Sequence, residues 1–382
     1  MADELGTTTE RAARIAEAPA PGAKALASKR WAFMDVLNVV AIFAVILLHV
    51  SLNIFDMAGD PAWTVALVYQ CAAIFAVPIF FMVSGANLLG YRERYDTRTF
   101  FKKRALRVVL TLVIGSAVIY LLLCFVSGLF GYEPRRFGIV EFLKELLTDN
   151  VISIYWFFYV IIGLYLVTPI FSLIAANRRV LEYTLILAVV LCFVVPAVDA
   201  FGPVHLVADP FALRFFTWSL TYYLLGFYLT RYFDRHIPAG LLILACLVCV
   251  AAMLGITAAL NTSGGTYNNL FAAAEGLPTL IYAPALFLLF KQADGKLAAS
   301  KAYPVWRKLS ALSLKVYAIH LVLIWAFDTH ILSGLAANSA GALLMQFVVE
   351  PVLVYVVSLG VAWVVETAKN ALKARLKTRA GA

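Results

Sequence analysis

The sequence predicts an all-α fold, a polytopic integral membrane bundle of about ten transmembrane helices with both termini cytoplasmic. Three observations carry the prediction. Of 382 residues, 63% are hydrophobic and 14% charged, whereas a soluble domain holds about 45–50% apolar and about 25% charged residues, so too little polar surface exists to cover a water-soluble fold. Apolar stretches of roughly 20 residues recur along the chain, the length a helix rising about 1.5 Å per residue needs to cross a hydrocarbon core of about 30 Å. These runs lack the alternation of barrel strands, and a backbone in hydrocarbon must satisfy its own hydrogen bonds, which leaves helices.

Residues 1–30 are rich in Ala, Glu, Thr and Pro and hold no apolar h-region, so they read as a disordered cytoplasmic tail and not as a cleaved signal. A membrane domain follows over 31–367. Its first span, 32–54, is the retained anchor, and 63–89 is the second. The polar, basic stretch 90–104 leads into 105–129. In the long connection 130–152, Val140, Leu143, Leu146 and Leu147 fall at helical spacing with charges between, which suits a short helix on the outer membrane interface or a lid over a cavity. Spans 153–175, 180–199, 214–233 and 239–260 follow. The Gly-containing loop Asn261 to Asn269, with a weak glycosylation sequon at Asn261-Thr262-Ser263, turns the chain into 270–290. Spans 311–331 and 341–366 complete the set, and 368–382 is a basic cytoplasmic tail.

The formal net charge of +9 reports topology here and not a nucleic-acid partner. Of 31 Lys and Arg residues, 26 fall on one side of this arrangement, and the positive-inside rule makes that side the cytoplasm of a multi-pass cell-membrane protein. The five cysteines, Cys71, Cys124, Cys192, Cys246 and Cys249, all lie within spans and lack paired metal-ligand spacing, so they read as small buried residues and no metal is expected. The chain shows no internal repeat of the kind found in many secondary transporters.

Ionisable residues inside a bilayer are costly, so each deep one is a candidate. His49 lies in the run VVAIFAVILLHVSLNIF, 17 residues past the start of its span, roughly 26 Å across the membrane at 1.5 Å per residue. An imidazole there suits proton abstraction from a hydroxyl, or a hydrogen bond between helices. Arg104 and Arg107 share a helix face beside Lys102 and Lys103, forming either a topology anchor or a clamp for phosphates. Ser84 of the Ser84-Gly85 pair reads as a ligand donor or as a packing residue. Trp156 reads as an interface anchor or the wall of a sugar site, and His320 as a ligand contact or an interhelical hydrogen-bond partner. Asp35 is fourteen residues before His49, about 21 Å away on one helix, so it caps the helix start or pairs with a cytoplasmic Arg. Any acid that orients His49 must come from elsewhere, and Glu275 in the 270–290 span is a candidate.

Six segments in order carry a resemblance: MDVLNVVAIFAVILLHV at 34–50, VPIFFMVSGANLL at 77–89, FFKKRALRVVL at 100–110, YWFFYVIIGLYLVTPIF at 155–171, YYLLGFYL at 222–229 and LSLKVYAIHLVLIW at 312–325. Together they resemble the membrane-bound acyltransferase-three family, which includes bacterial polysaccharide O-acetyltransferases. The resemblance implies a catalytic His49 and an Arg104 and Arg107 pair that handles an acyl-CoA donor, acetyl-CoA in particular. The family commonly has an Arg eleven positions before that His, where this chain has Asn38. Asn38 brings hydrogen bonds without charge, which shifts phosphate binding towards Arg104, Arg107, Lys102 and Lys103. Asn38 and His49 stand about 16 Å apart along a helix, comparable to a pantetheine arm. The implied activity is transfer of an acyl group from cytoplasmic acyl-CoA to a hydroxyl of a cell-envelope polysaccharide or glycolipid, with membrane lipid as the other partner. The alternatives are an exporter or flippase of a glycan or lipid-linked sugar, and a non-catalytic sensor or assembly subunit.

Overall fold

A computed structural model describes residues 30–56, 59–201, 216–261 and 267–380, and among them every regular element is helical. In chain order the helices are α1 (Ala32–Val50), α2 (Pro61–Ala73), α3 (Ala76–Leu88), α4 (Thr97–Phe125), α5 (Ile139–Leu147), α6 (Trp156–Ala176), α7 (Arg178–Asp199), α8 (Trp218–Arg231), α9 (Ala239–Leu260), α10 (Leu277–Gln292), α11 (Tyr303–His330) and α12 (Glu350–Ala380). The expected tail up to Lys29 and the sequon residues Thr262 and Ser263 lie outside the described residues, as do both chain ends.

Among the described residues, eight helical stretches are long and apolar enough to cross a membrane, with α2 and α3 counted as one stretch. The expectation of about ten spans is thereby corrected. Segments 214–233 and 270–290 form α8 and α10, of 14 and 16 residues, about 21 and 24 Å long against a core of about 30 Å. Their starts explain the shortness. At α8 the Thr217 hydroxyl accepts the Leu220 N–H at 3.2 Å, which caps a free amide and fixes the first turn at Trp218. The chain before α10 turns through Ala272 N–H to Asn269 C=O and Gly276 N–H to Ala273 C=O, and Pro278 sits in its first turn, where a missing N–H costs nothing.

Helix α1 is the axis of the bundle. Of its apolar window 67% is buried, against 17% for the peripheral α9, and α1 touches α2, α3, α10, α11 and α12. Its N-terminus is capped from afar, the Phe33 N–H donating to buried Asp294 Oδ1 at 3.1 Å, which satisfies one of the free amides of a helix start. Asp35 forms the ion pair and not the cap: Arg30 Nε and Nη2 donate to its two oxygens at 2.9 and 2.8 Å, and the Tyr303 hydroxyl donates at 3.0 Å.

Without water to drive apolar surfaces together, membrane helices adhere through close packing at small residues. Helices α3 and α8 show the extreme case. A Cβ on Gly85 would fall 1.7 Å from Tyr223 O, and one on Gly226 would fall 2.0 Å from Met82 O. The Ser84-Gly85 pair is thus divided, with Gly85 taking the packing role. Helix α5 forms where expected and leaves Ile139, Val140, Leu143 and Leu147 exposed along one flank. Inward, Phe142 meets Tyr120 at 5.3 Å, and the outward apolar row suits a membrane interface. All five cysteines are free; Cys71, Cys124 and Cys249 are buried, and Cys192 and Cys246 half-buried.

Candidate active site

Beyond the Tyr303–Asp35 hydrogen bond, two further polar bridges join α1 to α11. Asn38 Nδ2 donates to Ser310 Oγ at 3.2 Å, and His49 Nδ1 stands 3.1 Å from His320 Nε2. The bridges are eleven residues apart on α1 and ten apart on α11, about 16 and 15 Å. Matching intervals in the same sense make the two helices parallel, so each bridge marks a level in the bundle.

Around the first bridge lie two cavities, of 430 and 200 Å³. Asn38, Ser84, Arg104 and Tyr165 line both, and so form the neck between them. The wide cavity adds Arg30, Asp35 and Arg94, while the narrow one adds Arg107, Ser313 and Tyr317. Arg104 lies in a wide π-helical turn, Phe101–Ala105, set into α4; such turns are frequent at functional sites, although α7 contains one as well at Val190–Val194.

Four other arginines are engaged. Arg30 pairs with Asp35, Arg92 donates to Ser172 Oγ at 2.8 Å, Arg94 donates to Asn87 C=O, and Arg231 pairs with Glu93 at 2.9 Å. Arg104 and Arg107 differ. Among the described residues neither is in ion-pair contact with a carboxylate, and Tyr165 is their neighbour across the neck. Two planar guanidinium groups without counter-charge, turned to a cavity, form a receptor for phosphate or carboxylate oxygens. Lys103 does not join them: it lines neither cavity, and its amine lies 5.4 Å from the Tyr95 ring centroid.

At the second bridge the hydrogen bonds fix the protons. His320 Nδ1 is 2.8 Å from Tyr317 C=O, and His49 Nδ1 is 2.8 Å from Val45 C=O. A carbonyl only accepts, so with both rings neutral each Nδ1 carries its hydrogen and each Nε2 is bare. His320 Nε2 then accepts from His49 Nδ1–H, which is shared with Val45 C=O. His49 Nε2 remains an unoccupied acceptor, the arrangement a general base requires. His320 is fully buried and His49 half-buried.

Other candidates sit elsewhere. Glu275 is on an exposed turn two residues before α10 begins, near Tyr222, and not inside a helix as expected. The residue that orients His49 is another histidine, His320. Trp156 is half-buried at the start of α6, edge-on to Trp218 at 6.1 Å, and lines neither cavity. Arg30, Arg94, Tyr165 and Tyr317 join the site although sequence reasoning did not select them. Arg30 and Arg94 were indistinguishable from topology charges, but Ser310, Ser313, Tyr317 and His320 follow helical spacing on one face of α11, a signal visible in the sequence.

The model of a family described as acyltransferase domain, the acyltransferase-three family, matches residues 31–367. The chain belongs to the acyltransferase-three family. No curated protein and no solved structure matches it. In this acyltransferase-three protein the matched segment holds both bridges, the neck and the arginine pair, and only Arg30 among the cavity residues precedes it.

Proposed function

We propose that this protein is a membrane O-acyltransferase, specifically an O-acetyltransferase, moving an acyl group from cytoplasmic acyl-CoA to a hydroxyl of a cell-envelope polysaccharide or glycolipid. The observation that carries the reading is the pairing of two levels on one helix. Unpaired Arg104 and Arg107 face a cavity at the Asn38 level, and a hydrogen-bonded histidine pair with a bare Nε2 stands about 16 Å further along α1. In this reading the cell membrane holds the bundle with both termini and the arginine pair on the cytoplasmic side, as the distribution of basic residues supports.

The donor phosphates lie against Arg104 and Arg107, with Asn38 and Ser84 donating neutral hydrogen bonds at the neck. The pantetheine arm runs along α1 and α11 towards the histidines. The acceptor hydroxyl gives its proton to His49 Nε2 while its oxygen attacks the thioester carbonyl. The C–S bond then breaks, and the proton returns from His49 to the thiolate, leaving an O-acyl ester and free CoA thiol. Through the cycle His49 Nδ1–H keeps donating to His320 Nε2 and Val45 C=O, so the imidazolium forms with its hydrogen-bond partners already in place.

The donor half is tested by titrating the protein in nanodiscs with acetyl-CoA and following its thermal unfolding. Loss of a charge-assisted hydrogen bond costs about 1.5–3 kcal/mol, so Arg104→Ala and Arg107→Ala are each expected to weaken acetyl-CoA binding by about 10–100-fold. Unchanged affinity in the double variant would return both residues to the role of topology anchors.

A further inference from the structure

The narrow cavity ends one helical turn short of the histidine pair. On α11 it is lined by Ser310, Ser313, Leu314 and Tyr317, and His320 is three residues further, about 4.5 Å along the axis. Three aromatic rings line the cavity, Tyr317, Phe157 of α6 and Phe80 of α3, and of the α11 residues in that lining Tyr317 is the nearest to His320 along the helix. Phe157 bridges the other two, with ring centroids 5.0 Å from Tyr317 and 5.9 Å from Phe80.

Two of the three rings are held in place. The Tyr317 hydroxyl donates to Ile154 C=O at 2.6 Å, its C=O receives the His320 Nδ1–H, and its ring lies 5.5 Å from the His320 ring. Phe157 is buried against Phe81 at 5.4 Å and Phe158 at 6.3 Å as well. Phe80 alone is half-buried, so it is the ring with room to move.

We infer that Phe80, Phe157 and Tyr317 form the end wall of the donor cavity and set the acyl length, admitting a two-carbon group and rejecting chains of four carbons or more. The inference rests on the acyl-CoA reading above. For transfer, the thioester carbonyl must lie within reach of an oxygen bonded to His49 Nε2, beside the wall. The acyl carbons beyond that carbonyl then meet the rings. A methyl group fits against ring faces, whereas each further methylene must displace a ring from a close-packed contact. One methylene at such a wall separates substrates by about 10–200-fold.

The test compares wild type, Phe80→Ala and Phe157→Leu with acetyl-CoA and butyryl-CoA, reading thiol release in the presence of envelope glycan, with binding of unacylated CoA as a check on the donor site. Wild type is expected to prefer acetyl-CoA in kcat/KM by about 10-fold or more. Phe80→Ala is expected to reduce that preference about 10-fold, and Phe157→Leu, which keeps most of the bulk, to reduce it less. Wild type using both donors equally, or the same ratio in wild type and both folded variants, would overturn the wall. If wild type releases no thiol from either donor, the acyl-CoA reading itself fails, and the wall with it.

Discussion

His49 can act as a base only while its Nε2 is free of a proton, and the hydrogen bond from its Nδ1 to His320 Nε2 holds it in that form. His320 is therefore a positioning residue in the proposed reaction. Removing it leaves His49 Nδ1–H to Val45 C=O alone and frees the ring to tilt. With about 1–3 kcal/mol at stake, His320→Ala is expected to lower kcat by about 10–100-fold with little change in the donor KM. His320→Gln, whose amide oxygen accepts the same hydrogen, is expected to recover part of the loss. Equal activity in His320→Ala and wild type, measured on folded protein, would show that the pair has no part in transfer. At this scale the sequence exposed His49, Arg104 and Arg107 directly, since a lone imidazole in an apolar run and a basic Arg-x-x-Arg stand out by type. His320 stood out as a ligand contact or an interhelical hydrogen-bond partner, but its pairing with His49 was not legible, because the two lie 271 positions apart and only the parallel packing of α1 and α11 brings them together. Glu275 looked suitable by charge, but the turn before α10 leaves it on the surface.

At the level of elements, the site depends on how closely α3 and α8 approach, because α3 carries both Ser84 at the neck and Phe80 at the end wall. Gly85 and Gly226 permit that approach. Their Cβ positions are occupied by backbone atoms of the opposing helix, which move only if the whole helix moves. Overpacking typically costs about 1–3 kcal/mol and here falls on rigid backbone, so Gly85→Ala and Gly226→Ala are each expected to lower the thermal midpoint in detergent by several degrees. They are also expected to weaken acetyl-CoA binding through displacement of Ser84. A midpoint unchanged in both variants would contradict the close crossing. Helices of sufficient length were legible from hydropathy alone, and α5 was legible from its spacing. The two overcounted spans were not, because Thr217 and the turn before Pro278 shorten α8 and α10, while hydropathy windows run through such starts. The wide turn at Phe101–Ala105 was equally invisible, since its residues are ordinary helix formers.

Across the whole molecule, the proposed reaction uses two levels on the paired helices α1 and α11. Arg104 and Arg107 sit at one level and the histidines at the other, so in this proposal a donor bound on one side of the bilayer presents its thioester to an acceptor that never enters the same compartment. Ten candidate spans or eight make no difference to that division, because α1, α3, α4, α6 and α11 supply the whole of it. The most direct measurement is transfer of label from radiolabelled acetyl-CoA to isolated envelope glycan by the purified protein in nanodiscs, comparing wild type with His49→Ala. A general base contributes about 10²–10⁴-fold, so the account predicts labelled ester with wild type and a loss of at least about 100-fold with the variant at matched folding and acetyl-CoA binding. Transfer by His49→Ala at the wild-type rate, or no label moved by wild type, would contradict it.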